Sequence, residues 1–169
     1  MQHKGPLFRA HNPYWSWDPV SGEGARMNGG RFNPIGTPAI YMSETVLTTI
    51  REASPLGRPM EPLTICEYQV DCGPVFDATN PALLAAHGIT FGQLQCPNWM
   101  GEMLSGRVPA SHTVADQLIA NGFAGLRVQS FARGATPRDV NVVFWRWGDT
   151  PPEMIRVIDS DGRLPGPPV

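Results

Sequence analysis

The chain has 169 residues, 41% hydrophobic and 17% charged, with a formal net charge of −2. That length fits one domain able to bury a sizeable core. The slightly acidic balance argues against an extended nucleic-acid footprint, which shows as a basic patch or stripe. Glycine and proline occur 18 times each, which predicts many turns and short elements and excludes a helical bundle.

Residues 7–10 read as a short first strand carrying Arg9. Residues 11–30 form a long irregular stretch with prolines, glycines and the pair Trp15 and Trp17, and long loops in compact domains are often functional. The tryptophans serve equally well as a lid packed on the core. Residues 29–38 (Gly29-Gly30-Arg31-Phe32-Asn33-Pro34-Ile35-Gly36-Thr37-Pro38) make a loop whose backbone can pass close to a ligand.

A second strand is expected over 39–42, then a helix over 44–53 capped by Ser43. Val46, Leu47, Ile50 and Ala53 repeat at helical spacing and predict its buried stripe, with Glu52, Thr45 and Thr48 opposite. Residues 55–62 are a breaker-rich connection, and 63–70 a strand rich in β-formers. Asn80 and Pro81 open a short helix that reaches His87. Thr113 and Asp116 make a capping-box-like pair for a helix running to Asn121.

Residues 124–130 predict a strand with Leu126, Val128 and Ser130 on one face. Residues 140–147 are apolar on both faces until Arg146, the mark of a central strand. A last strand over 154–158 precedes the turn at 159–162, and the Pro/Gly-rich tail over 159–169 is expected to be loose. Strands dominate and helices do not alternate regularly with them. The expectation is a single mainly-β α+β domain over 1–169, its core spanning about 7–158.

Cys66, Cys72 and Cys96 hold no C-x-x-C pair, so neither a disulfide framework nor a zinc site is expected. His3, His11, His87 and His112 show no metal-ligand spacing, and no metal is assigned. Residues 1–6 lack the apolar core of a signal peptide, and no run reaches the roughly 18 apolar residues of a membrane span. A soluble, cytoplasmic protein that avoids membranes is expected.

Arg31 is the first chemical candidate, because arginine grips phosphate through charge-assisted, often bidentate hydrogen bonds. A loop arginine also commonly ties down a carbonyl. Arg9 is a second phosphate candidate. Tyr41 suits stacking on a planar ring or a place in the core with its hydroxyl at the rim. Ser130 has no nucleophile elbow around it and reads as a hydrogen-bonding serine. Neither G-x-x-x-x-G-K-[ST] nor G-x-G-x-x-G occurs.

Taken together, these blocks resemble the RES-domain family, named for an arginine, a glutamate and a serine. The family's loop G-G-R-[WFY]-N-P-x-G matches residues 29–36, its Y-x-[SA] strand end matches 41–43, and Glu52 takes the glutamate's place. Val128-Gln129-Ser130 and Asn141-Val142-Val143 fit the serine block, with Gln129 where proline is usual. Phe8-Arg9 is similar to the family's early arginine, and Trp99 to a tryptophan midway.

The resemblance implies an ADP-ribosyltransferase-like fold and a small toxin of a bacterial toxin–antitoxin pair that consumes NAD⁺ as its substrate. Such proteins hydrolyse or phosphorolyse NAD⁺ or transfer ADP-ribose to a protein target. The expected partner is an antitoxin with a DNA-binding portion. Carried over residue by residue, Glu52, Arg31 and Ser130 are the catalytic set, and Arg9, Arg31, Tyr41 and Ser43 bind NAD⁺. The other class considered is a non-catalytic nucleotide- or RNA-binding or interaction module, with Trp15, Trp17 and Trp99 stacking on bases.

Overall fold

The computed structural model describes residues 1–54 and 59–168. Seven strands form one sheet: β1 (His3–His11), β2 (Ile40–Ser43), β3 (Thr64–Cys72), β4 (Val75–Asp77), β5 (Gly125–Gln129), β6 (Val140–Phe144) and β7 (Glu153–Val157), in the spatial order β4-β5-β6-β2-β1-β3-β7. Every pair is antiparallel except β4 with β5. Six short helices are present among the described residues: α1 (Glu23–Asn28), α2 (Val46–Ala53), α3 (Pro81–Ala86), α4 (Phe91–Gln95), α5 (Trp99–Leu104) and α6 (Ala110–Ala120). The α+β class expected from the sequence is what forms. The connection expected over 55–62 falls partly on residues 55–58, which lie outside the described residues.

The apolar strand β6 is interior, between β5 and β2. Its side chains alternate across the sheet. Val142 and Phe144 enter one core with Leu7, Ile40, Tyr68 and Ile155. Val143 and, just past the strand, Trp145 enter the other with Phe76, Leu94, Leu118 and Leu126. Each fully buried side chain of this size contributes about 1.5–3 kcal/mol relative to exposure, so β6 is tied to both faces at once.

Several expectations need correction. The first strand is longer than 7–10: β1 pairs with β3 from His3↔Cys72 to His11↔Thr64. Gly5 and Pro6 disguise the extension, but β2 meets β1 only at Phe8↔Ser43, so this half of β1 is edge-like, where proline is tolerated. The stretch 11–30 is not wholly irregular, since it holds a 3-10 turn at Pro13–Trp15 and the helix α1. The Thr113/Asp116 pair caps nothing. The helix α6 starts earlier, at Ala110, because Ser111, Val114, Ala115 and Leu118 supply a buried stripe at helical spacing, leaving Thr113 and Asp116 on its exposed face.

The helix after β2 departs most from expectation. Ser43 is the last residue of β2, and the N-cap is Thr45, whose Oγ1 accepts from Thr48 N at 3.1 Å. The buried face of α2 carries Thr48 and Thr49, while Val46 and Leu47 are exposed. Both threonines have partners there: Thr48 Oγ1 donates to Asp139 Oδ1 at 2.8 Å and Thr49 Oγ1 to the Phe8 carbonyl at 3.3 Å. A polar contact at the sheet's end overrides the apolar period.

Candidate active site

The glycine loop is built around Asn33, which is fully buried. Its Nδ2 donates to the carbonyls of Ala25 and Thr37, each at 2.9 Å, and its Oδ1 accepts from the Tyr41 hydroxyl at 2.7 Å. That hydroxyl accepts in turn from Phe32 N at 3.0 Å. Gly30 and Asn33 bridge through both their backbone groups. His112 Nε2 donates to the Gly30 carbonyl at 2.8 Å, and Trp145 Nε1 to the Phe32 carbonyl at 2.8 Å. Glycine is required at both leading positions. Gly29 has φ 69°, and a Cβ on Gly30 would collide with the Tyr41 hydroxyl and lie 2.6 Å from Asn33 Oδ1.

Arg31 leaves this loop and turns to backbone. Its Nη1 donates to the carbonyls of Gln95 and Cys96 at the end of α4, and its guanidinium carbon lies 5.0 Å from the centre of the Phe131 ring. The last carbonyls of a helix and an aromatic face both favour a cation. Burial lowers the Arg31 pKa from its ordinary value, opposed by the nearby Glu52, Cys96 and Tyr41. Burial raises the Tyr41 pKa, as expected for a phenol whose oxygen is held inside the loop.

Glu52 approaches from the other side, on α2. The helix is fixed by the Thr48 and Thr49 bonds and by an Arg51–Asp139 ion pair. Asp139 also accepts from Thr136 N at 2.8 Å and Thr136 Oγ1 at 2.9 Å, and these bonds, the Thr136 amide first, hold its pKa below the ordinary value. One carboxylate oxygen of Glu52, Oε1, accepts from Ser130 Oγ and from Asn141 Nδ2, each at 2.5 Å. Asn141 faces Ser43 across β2 and β6, and its Oδ1 accepts from Ser43 Oγ at 2.7 Å. Oε2 of Glu52 accepts no bond from the described residues.

A cavity of about 480 Å³ lies between these two assemblies, lined by Arg9, Arg31, Tyr41, Glu52, Trp99, Phe131 and Asn141 among others. A smaller one of about 280 Å³ adjoins it and shares Arg9, Tyr41, Glu52 and Asn141, with Ser43 in its wall. Arg9 on β1 donates from Nη1 to the Pro19 carbonyl at 2.9 Å, and burial lowers its pKa. The fold thus gathers Arg9, Arg31, Tyr41 and Glu52 at one cavity, with Ser130 reaching it through Glu52 and Ser43 through Asn141.

His112, which braces the loop from α6, escapes a reading of motifs. Asn33 and Asn141 lie within the motif blocks, but the sequence assigns them no role: Asn33 holds the loop and Asn141 orients Glu52. Chemically, the site offers a carboxylate with one oxygen fixed and one open, two guanidinium groups and aromatic walls. That set suits an anionic ligand carrying a planar ring and a centre that turns positive in reaction. Among the described residues no group of three or more His, Cys, Asp or Glu is placed to hold a metal ion, and no helix is long and apolar enough to cross a membrane.

The chain matches the family model of the RES domain over residues 6–165 and belongs to that family. Its structure is similar to the MbcT toxin, from the crystal structure of the M. tuberculosis MbcT–MbcA toxin–antitoxin complex, with a TM-score of 0.61. The two chains are 20% identical, over 94% of this chain and 84% of the other. At that identity the likeness concerns the fold. No curated protein matches the chain.

Proposed function

We propose that this RES-domain protein is an NAD⁺-consuming toxin of a toxin–antitoxin pair. It cleaves the bond between ribose C1′ and the nicotinamide nitrogen and passes ADP-ribose to a protein side chain, as a transferase, or to water or phosphate. The observation that carries this reading is the fixed Glu52 carboxylate, held on Oε1 by Ser130 and Asn141 at a cavity that also presents Arg9, Arg31, Tyr41 and Trp99. Membership of the RES family and the toxin–antitoxin setting of the MbcT structure support it.

Positive charge builds on the ribose as the C1′–N bond breaks, as in glycoside hydrolysis. The roles proposed follow from that. Glu52 stabilises the charged sugar or hydrogen-bonds its hydroxyls, and helps to deprotonate the acceptor. Ser130 and Asn141 keep its carboxylate in place, and Ser43 orients Asn141. Tyr41 presents its ring to nicotinamide. Arg9 holds the pyrophosphate, and Arg31 joins it by exchanging the Gln95 and Cys96 carbonyls for phosphate oxygens. The proposed partner is a cytoplasmic antitoxin with a DNA-binding portion, and the toxin itself binds neither nucleic acid nor membrane.

The test is product analysis by NMR after incubation with NAD⁺, in buffers with and without phosphate, and with cell lysate as a source of protein acceptors. Glu52-dependent release of nicotinamide is expected, and the fate of ADP-ribose identifies the acceptor. A Glu52→Ala protein with undiminished release would sink the assignment. No release under any of these conditions would favour a binding module instead.

A further inference from the structure

The helix α2 meets the start of β6 at two levels. On α2, Thr48 and Glu52 are four residues apart and share a face. Asp139, just before β6, and Asn141, its second residue, are two apart and lie on one side of the chain. The two faces pair in order. Asn141 Nδ2 donates to Glu52 Oε1 at 2.5 Å, and one turn below it Asp139 Oδ1 accepts from Thr48 Oγ1 at 2.8 Å and from Arg51. A helix held at one point can still turn about its axis. Held at two points a turn apart, it cannot.

The lower level also fixes the loop that carries the other holder of Glu52. That loop leaves β5 at Ser130 and returns at Asp139, and its neck is closed by Ser130 N, which donates to the Asp139 carbonyl at 2.7 Å. The two carboxylate oxygens of Asp139 divide the work. Oδ1 takes the bonds from α2, and Oδ2 takes those from Thr136 N and Oγ1 within the loop. Asp139 is buried and lines neither cavity at Glu52. Every bond of its carboxylate goes to framework, so it has no route to a ligand except through what it holds.

We infer that Asp139 is a positioning residue for the reaction: through Thr48 and Arg51 it sets the rotation of α2 that delivers Glu52 to Ser130 and Asn141. This rests on the reading of Glu52 as the group that carries NAD⁺ cleavage. With the lower level gone, Ser130 and Asn141 stay on the sheet while the carboxylate turns away from them. A misplacement of about 1 Å can cost about 10²-fold in rate, so the loss falls on turnover more than on binding.

Two measurements on the full chain test it, both made without denaturant on protein shown to be folded. Asp139→Ala removes the lower level outright. Thr48→Val removes one hydroxyl at nearly constant volume and serves even where Asp139→Ala fails to fold, and Thr48→Ser keeps the hydroxyl. In the first measurement, kcat and KM are determined for NAD⁺. Thr48→Val and Asp139→Ala are expected to lower kcat by about tenfold to 10²-fold with KM little changed, and Thr48→Ser to restore the wild-type kcat. A loss seen mainly in KM, or a Thr48→Val protein with undiminished kcat, overturns the inference. In the second, the Asn141 side-chain amide is followed by ¹⁵N NMR, assigned by its disappearance in Asn141→Ser. In Thr48→Val it is expected to move toward its position in Glu52→Ala, and in Thr48→Ser to stay. An unmoved resonance in Thr48→Val overturns the inference even if NAD⁺ is cleaved. A resonance that moves in a protein inert toward NAD⁺ keeps the hold of Asp139 on Glu52 and overturns the cleavage reading.

Discussion

The two sides of the cavity are built by different means. On the Glu52 side, side chains hold side chains: Ser130 and Asn141 grip the carboxylate, and Ser43 grips Asn141. On the Arg31 side, side chains hold backbone: Asn33, His112, Trp145 and Tyr41 bind the loop's amides and carbonyls, and Arg31 itself rests on carbonyls of α4. A side-chain network can lose a member while the main chain stays where it is. A loop whose backbone groups are satisfied only by particular buried side chains cannot, because each loss leaves a buried polar group unpaired. The Glu52 side should therefore be separable from stability, and the glycine loop should not.

Four variants break or sharpen that contrast. Glu52→Gln keeps the shape but loses the charge. It is expected to lower NAD⁺ turnover by about 10²–10³-fold or more, while urea unfolding moves by no more than about 0.5 kcal/mol, as for other exposed positions. Gly30→Ala drives a methyl into Tyr41 and Asn33 and is expected to cost about 2–4 kcal/mol in urea unfolding. A stable Gly30→Ala protein that is merely inactive would end the comparison. Tyr41→Phe strands Asn33 Oδ1 and Phe32 N and should cost about 1–3 kcal/mol by the same measurement. Thr45→Ala removes the cap of α2, for about 1 kcal/mol.

The mildest effect is confined to acid. The folded pKa of Asp139 lies below the ordinary value, near 3.9 for an unperturbed aspartate (about 3.9). Its contribution to stability is complete above the unfolded pKa and is lost as pH falls through the folded one. The gap in urea midpoint between wild type and Asp139→Asn should hold steady from neutral pH to about 5 and narrow below about 4. A gap that widens in acid would contradict the assignment of Asp139 as the charged anchor of α2.

Much of this was legible in the chain. The glycine loop and the interior strand β6 follow from residue types and order, whereas the grouping of Arg9, Arg31, Tyr41 and Glu52 was implied by the resemblance to the RES family and not by spacing or periodicity. The inward face of α2 was not legible, because Thr48 and Thr49 are buried by partners distant in sequence, Asp139 and the Phe8 carbonyl. The helices α4 and α5, of five and six residues, are too short for periodicity to register, although Thr90 and Gln93 do form a capping box. The two carbonyls they contribute to the site leave no sequence signal, and Trp99 was legible only through the family resemblance. The hydroxyl of Tyr41 went to Asn33, a destination that residue type alone does not single out.

The bonds that assemble the site share one property: sequence distance. Ser130 and Asn141 reach Glu52 across 78 and 89 positions, and Arg31 reaches the Cys96 carbonyl across 65. Contacts of that range form only once most of the chain has collapsed around them, and such topologies fold slowly. The full grip on Glu52 is in that sense a property of the finished chain, since no stretch ending before β6 contains both Ser130 and Asn141. On the proposed function, a nascent copy would lack the oriented Glu52 carboxylate, and with it NAD⁺ cleavage, until β6 had been synthesised.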